Sequence, residues 1–367
     1  MIRVLHSIDT TGPGGAETVF VNLATGLDPN KFESIVAIRG GGWVCDTLCS
    51  YGIEPIFVQS KGGVNFRYLR ELVEIIRTNK IDIVQSHLLG SNLYCCLAGM
   101  ICRVPVIATF HGFVDASEQE RFMALKVWII NQGSRSIVFV SDGLRDQFMK
   151  AFGFSKTKSV TVYNGVDTNI FYSKRDTSIR EKLGLKKEHV LIGAVGNIRP
   201  TKGYDLFLRA ARIVYDKNPA CRFVVAGQGT GELYDSLLQL RKKLNLDDVF
   251  CFLGFQNDAP KFLNNLDIFC LPSTSEGFSM STIEAMACGV PVVATRSGGP
   301  EEIINDGKEG KLVLANVEGL ANGMMSMIDD FLIRQQLIFN SVNSMNVKFI
   351  STDMIKKYEN IYSCSCL

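Results

Sequence analysis

The chain has 367 residues, which suits two domains at the usual ~100–200 residues apiece. Hydrophobic residues make up 46% and charged residues 21%, so ordinary cores can be buried and a disordered chain is excluded. With 39 basic against 37 acidic side chains, the net charge of +2 gives nucleic acid no electrostatic reason to bind.

Ile2 to Ile8 reads as a first strand. It lacks the long apolar core of a signal peptide, and no later stretch nears the ~18 apolar residues of a membrane span. The expected location is the cytoplasm, on the inner face of a membrane at most. Thr10-Thr-Gly-Pro-Gly-Gly-Ala-Glu17 follows the strand. Gly14 and Gly15 would let the backbone approach a ligand and aim helix N–H groups at it. The dinucleotide pattern G-x-G-x-x-G is not met.

Further apolar runs are Ser34 to Ile38, Pro55 to Val58, Ile81 to Gln85, Val106 to Thr109, Ser136 to Val140 and Ser159 to Val162. Helical patterns separate them. In Phe66 to Thr78, for example, Leu69, Leu72, Val73 and Ile76 are expected to face the core. Short continuous apolar runs suit strands covered on both faces, hence parallel sheets in a doubly wound α/β architecture. His87 and His111 both end predicted strands, where an imidazole can donate to a hydroxyl or phosphate or take a proton. Phe122 to Ile130 reads either as a core helix, the favoured reading, or as an amphipathic face touching a membrane or lipid carrier.

The apolar pattern weakens after Asp167, and residues 166–189 are expected to link a first domain, 1–165, to a second, 190–349. The second set of strands is Val190 to Val195, Arg222 to Ala226, Val249 to Gly254, Ile268 to Pro272, Pro291 to Thr295 and Gly310 to Leu314. The remainder, from about Val317, looks helical. Ligands of such sheets bind beyond the carboxyl ends of the strands, so two halves facing across a cleft would suit a two-substrate reaction.

In Gly193-Ala-Val-Gly-Asn-Ile-Arg-Pro-Thr-Lys-Gly203, Arg199 and Lys202 lie where a strand hands over to a helix, as a diphosphate would require; a solvated basic turn is the alternative. Ala226-Gly-Gln-Gly-Thr-Gly231 is a glycine-rich turn. The richest segment runs from Leu271 to Ala294. A polar loop holding Glu276 and Gly277 leads into a short helix, and the amides of Phe278, Ser279 and Met280 would form an anion site. Glu284, one turn on, could accept hydrogen bonds from vicinal hydroxyls such as a ribose, and Glu276 could hold a sugar. Ser281-Thr-Ile-Glu284 also matches a capping box, which would leave Glu284 a structural role. The eleven cysteines show no metal spacing and read mostly as buried thiols in a reducing compartment. No D-x-D occurs, so a divalent-metal carboxylate pair is not visible, and the missing P-loop excludes a P-loop kinase or ATPase; no metal site and no cofactor are expected.

Taken in order, the Gly-Gly-Ala-Glu loop, Val162-Tyr-Asn-Gly-Val-Asp-Thr-Asn-Ile-Phe171, the Lys202-Gly203 loop, the E-x7-E segment Glu276 to Glu284 and Ser297-Gly-Gly-Pro-Glu-Glu-Ile-Ile304 resemble the retaining nucleotide-sugar glycosyltransferases of family four. The resemblance implies a GT-B fold of two Rossmann-like domains, with a final helix, about 350–367, crossing back to the first. It implies that Glu284 binds the donor ribose and Glu276 the donor sugar, with Lys202 and the amides of Phe278 to Met280 on the pyrophosphate. Gly15 and His111 would close on the transferred sugar. Asn197 stands where the family has arginine, which leaves Arg199 to substitute. The expected partners are a nucleotide-sugar donor, most often a UDP-sugar, and a glycan or lipid-linked acceptor in bacterial surface polysaccharide synthesis. A nucleotide-sugar epimerase and a non-catalytic nucleotide-sugar-binding protein are the alternatives.

Overall fold

The computed structural model describes residues 1–59, 65–113, 120–174 and 176–366. The chain divides into two compact units, Met1–Gly165 with Ser351–Leu367, and Val166–Ile350. In the first, seven parallel strands are β1 (Ile2–Ile8), β2 (Phe32–Ile38), β3 (Ile56–Phe57), β4 (Ile83–His87), β5 (Val106–Phe110), β6 (Ser136–Phe139) and β7 (Ser159–Thr161). Their order is β3-β2-β1-β4-β5-β6-β7. The second unit has β8 (Val190–Val195), β9 (Cys221–Ala226), β10 (Phe250–Gly254), β11 (Ile268–Leu271), β12 (Val292–Thr295) and β13 (Lys311–Val313), ordered β10-β9-β8-β11-β12-β13. Both sheets are Rossmann-like, as the alternation of apolar runs and helices led us to expect.

The strands read clearly because helices cover both faces. Val4 and Leu5 in β1, and Val292, Val293 and Ala294 in β12, are fully buried, so consecutive positions must be apolar. Strand order reverses between β1 and β4 in one sheet and between β8 and β11 in the other. At such a reversal, neighbouring crossover connections lie on opposite faces, and a crevice opens at the carboxyl ends of the two central strands. The segments just after β1, β4, β8 and β11 therefore occupy the ligand-binding position of each unit.

Local departures from expectation have physical causes. Helix Phe66–Thr78 buries Tyr68, Leu72, Ile75 and Ile76, a stripe slightly rotated from the one expected; Leu69 and Val73 sit on its margin. Residues 166–189 belong to the second unit. Two of the charges in this stretch hold it to the second unit: Arg180 bonds Asp267 at 2.8 Å, and Asp176 accepts from Asn265 at 2.7 Å. Arg175, in the same stretch, lies outside the described residues. Five cysteines are buried, three are half-buried, and Cys49, Cys364 and Cys366 are exposed. The helix after Phe122, Met123–Gly133, turns Val127 and Ile130 inward but leaves Phe122, Leu125 and Trp128 more than half exposed, so the core reading holds for one side only.

The last helix, Ser351–Ser365, completes the first unit. Its Tyr358 and Tyr362 are fully buried there, and Glu359 accepts from the Asp28 amide at 2.8 Å. Among the described residues no helix is long and apolar enough to cross a membrane.

Candidate functional site

In the second unit, three loops converge on one residue, Glu276. After β8, the segment 196–203 ends in a 3₁₀ turn, Pro200–Lys202, followed by Gly203. Gly203 has φ +62°, and a Cβ there would lie 2.1 Å from the Pro272 carbonyl oxygen. Only glycine permits both the left-handed backbone and this approach. The Thr274 amide donates to Thr201 O at 2.8 Å, tying the loop after β8 to the loop after β11. Lys202 is thereby brought to Glu276, 74 residues away, and its Nζ donates to Glu276 Oε1 at 2.7 Å. Ser273 Oγ donates to the same oxygen at 2.6 Å. From the loop after β12, Ser297 O accepts the Glu276 amide at 2.8 Å, while Glu301 accepts the Ser297 and Gly298 amides at 3.1 and 3.0 Å. Ser273, Ser297, Thr201 and Glu301 were not picked out one by one in the sequence, although Ser297 and Glu301 fall in its fifth motif.

Gly203→Ala should therefore lower the stability of the second unit by about 3 kcal/mol, from left-handed strain plus the clash. It should also cut turnover by parting Thr201 from Thr274. Thermal melting and activity read together check this; an unchanged melting temperature would remove the clamp from the account.

The helix expected near Ser281 runs Met280–Ala287, with Ser279 at its N-cap and no side-chain cap on its amides. Its hydrogen-bond ladder begins at Ile283 N to Ser279 O, so Met280, Ser281 and Thr282 supply the first-turn amides, two residues later than expected. The Ser281–Glu284 capping box does not form, because Ser281 already lies inside the helix. Thr282 instead donates to Ser279 Oγ at 2.9 Å. Glu284 is buried, and burial pushes its carboxyl up to about 7. Gly277, Phe278 and Ser279 are also buried beside this helix start. Asn197 Oδ1 accepts the Gln228 amide at 3.0 Å, stapling the loops after β8 and β9, whereas Arg199 is exposed.

The first unit has its own convergence. Gly14 caps helix Gly15–Gly26, and a Cβ on it would lie 2.3 Å from Glu17 Oε2, because the Glu17 carboxylate folds back over the helix start. Asp9, just after β1, has its carboxyl raised chiefly by burial. His111, just after β5, is stacked on His87 with ring centroids 5.0 Å apart and 17° between planes. His87 Nδ1 lies 2.8 Å from His111 Nε2. Behind them, Gln85 Nε2 is 3.1 Å from His87 Nε2 and donates to Thr109 Oγ1 at 2.9 Å. Tyr362 of the last helix donates to Gln85 Oε1 at 3.0 Å. Burial drives the His111 imidazole down to about 3 and, with His111 and His6 nearby, holds His87 well below its ordinary value.

Residues 13–170 match a family model described as Glycosyltransferase Family 4, and residues 175–342 match one described as Glycosyl transferases group 1. The chain belongs to glycosyltransferase family four. Similar proteins include the N-acetyl-alpha-D-glucosaminyl L-malate synthase of Bacillus anthracis, 26% identical over 80% of this chain and 77% of that one. The UDP-Gal:alpha-D-GlcNAc-diphosphoundecaprenol alpha-1,3-galactosyltransferase of Escherichia coli is 27% identical over 72% and 71%. Among solved structures, Anabaena HepE in complex with UDP-glucose superposes with a TM-score of 0.91 over 99% of this chain and 100% of that one, at 22% identity. That likeness fixes the fold of this family-four chain as GT-B.

Proposed function

We propose that this protein moves a hexosyl or aminohexosyl group from a nucleoside diphosphate sugar, most simply a UDP-sugar, to a hydroxyl, with retention at the anomeric carbon. The observation that carries the reading is the Lys202–Glu276 pair, interlaced at the β8/β11 crevice with the uncapped start of helix Met280–Ala287. A cation and a row of amides side by side suit two linked phosphoryl groups. Glu284, buried one turn on, suits the ribose diol, and Glu276 the hydroxyls of the sugar. Asn197, Arg199, Gly277, Phe278, Ser279 and Met280 complete the proposed donor set. Gly14, Gly15 and His111 are assigned to the transferred sugar. Because the Glu17 carboxylate already faces the Gly14 helix start, a neutral hydroxylated ligand fits there better than a second phosphate.

In the proposed reaction the bond from the anomeric carbon to the β-phosphate oxygen breaks and one to the acceptor oxygen forms. The acceptor's proton passes to the departing phosphate. Lys202 and the helix amides stabilise the charge that grows on the diphosphate, so no separate metal is required by this scheme. HepE's complex with UDP-glucose and the UDP-Gal donor named for the Escherichia coli relative support a UDP-sugar. The acceptors named for the relatives differ, malate in one and a diphosphoundecaprenol-linked sugar in the other. We assign this chain a glycan or lipid-linked acceptor at the inner membrane face, in bacterial surface polysaccharide synthesis; the outward Phe122, Leu125 and Trp128 support contact with a lipid carrier.

The test is a thermal-shift screen of UDP, GDP, ADP and their sugars, followed by assay of nucleoside diphosphate release on an acceptor panel. A UDP-sugar is expected to stabilise the protein and to release UDP only when acceptor is present. Binding should weaken about tenfold per pH unit below about 7, where Glu284 is protonated and must lose its proton to accept both ribose hydroxyls. Conversion of donor without acceptor would point to an epimerase, and tight binding with no release on any acceptor to a sensor; either result would end the transferase reading.

A further inference from the structure

The contacts behind His111 determine which of its nitrogens carries the proton. Gln85 Nε2 lies 3.3 Å from the Ser86 carbonyl oxygen, which can only accept, so the group facing it is the NH2. Tyr362 Oη donates to Gln85 Oε1, which agrees with that orientation. The same NH2 therefore donates to His87 Nε2, which must be bare. A neutral His87 then carries its proton on Nδ1 and donates it to His111 Nε2, 2.8 Å away. That makes His111 Nε2 an acceptor and leaves the proton of a neutral His111 on Nδ1.

We propose that His87 is a positioning residue for His111: held by Gln85 and Tyr362, it fixes His111 as the neutral Nδ1–H tautomer. In that form His111 is a hydrogen-bond donor through Nδ1. Its Nε2 is committed to His87 and does not take the acceptor's proton. That role then falls to the departing phosphate. Tyr362 makes the last helix part of the device, and it is the one member that arrives from the far end of the chain. The form of the ring does not depend on what the protein transfers, whereas its effect on turnover rests on the glycosyltransferase reading above.

The full chain labelled with 15N-histidine is suitable for the test, since its four histidines can be assigned by single substitution. Long-range proton–nitrogen NMR at pH 7 should show a protonated Nδ1 and a bare Nε2 for both His87 and His111. His87→Gln can still donate to His111 Nε2 through its amide, so the Nδ1–H form and most of the turnover should survive. His87→Leu cannot donate. In it the His111 proton should become free to move to Nε2, and kcat should fall about tenfold or more with UDP affinity unchanged. A wild-type spectrum with the proton on Nε2 of His111 would overturn the proposal whatever the activity, and so would a folded His87→Leu variant with unaltered spectrum and kcat. The expected spectra in a protein that transfers no sugar would instead overturn the functional reading and leave the tautomer standing.

Discussion

Lys202→Ala is expected to lower turnover about a thousandfold while the fold survives. The proposed leaving group is a diphosphate, and removing a preorganised positive charge from such a site costs 10²- to 10⁵-fold in comparable settings. The structure adds a second reason. The Glu276 side chain is only 10% exposed, and besides Ser273 its carboxylate leans on the Lys202 ammonium at 2.7 Å. Without that cation, a nearly buried anion keeps one short hydroxyl hydrogen bond and loses its charge partner. Lys202→Arg should recover part of the rate, since it keeps the charge but changes its shape. The loop itself should persist, because it is clamped by Thr201, Thr274 and the Gly203 approach to Pro272 rather than by the lysine side chain. Steady-state kinetics with circular dichroism as a fold control decide the matter. A folded Lys202→Ala variant that turns over normally would remove Lys202 from the mechanism.

Mild acid is expected to unfold the first unit before the second. His6, His87 and His111 all lie in the first unit, and burial lowers all three, His6 and His111 to about 3. In the unfolded chain each binds a proton near its ordinary value of about 6.5, but in the folded unit it does not. The unfolded state therefore holds more protons below that pH, and stability falls as pH drops. At the steepest, three such groups give about 4 kcal/mol per pH unit. Glu284, in the second unit, has the opposite sign: raised to about 7, it binds a proton in the folded state first, so acid relieves its burial. Asp9 also opposes the trend, as a single carboxyl raised by burial. The two tryptophans, Trp43 and Trp128, both belong to the first unit, so fluorescence excited selectively at tryptophan reports on it alone. Its melting temperature should drop steeply between pH 6.5 and 5. A flat profile would mean that these imidazoles are hydrated and titrate normally.

The thirteen strands of the described residues were legible because a strand covered on both faces is mostly apolar, although buried Gln85, Ser86 and His87 interrupt the run in β4. Their ends shifted by a residue or two, since hydrogen-bond registry rather than hydrophobicity decides where a strand stops. Helix Phe66–Thr78 was placed correctly, yet its buried stripe includes Tyr68, whose hydroxyl meets Ser7 and Ser91 inside the core, a contact that side-chain polarity argues against. The start of helix Met280–Ala287 depended on where the preceding loop turns, and so the matching Ser281–Glu284 spacing misled. What could not be read at all was pairing at a distance. Lys202 meets Glu276, and His87 meets His111, only because the loops after neighbouring central strands are brought together by a strand order that no local pattern encodes.

The first unit is not contiguous in the chain, and this affects how the molecule is made. While the ribosome adds residues 166–350, the first sheet has already emerged but still lacks Tyr358 and Tyr362, two of the largest side chains of its interior. Its nascent core must wait with an apolar face uncovered, while the second unit, continuous from Val166 to Ile350, can fold as it emerges. Synthesis therefore finishes the second unit before the one that was begun first, and the closing helix is the step that seals Gln85 into its hydrogen-bonded setting.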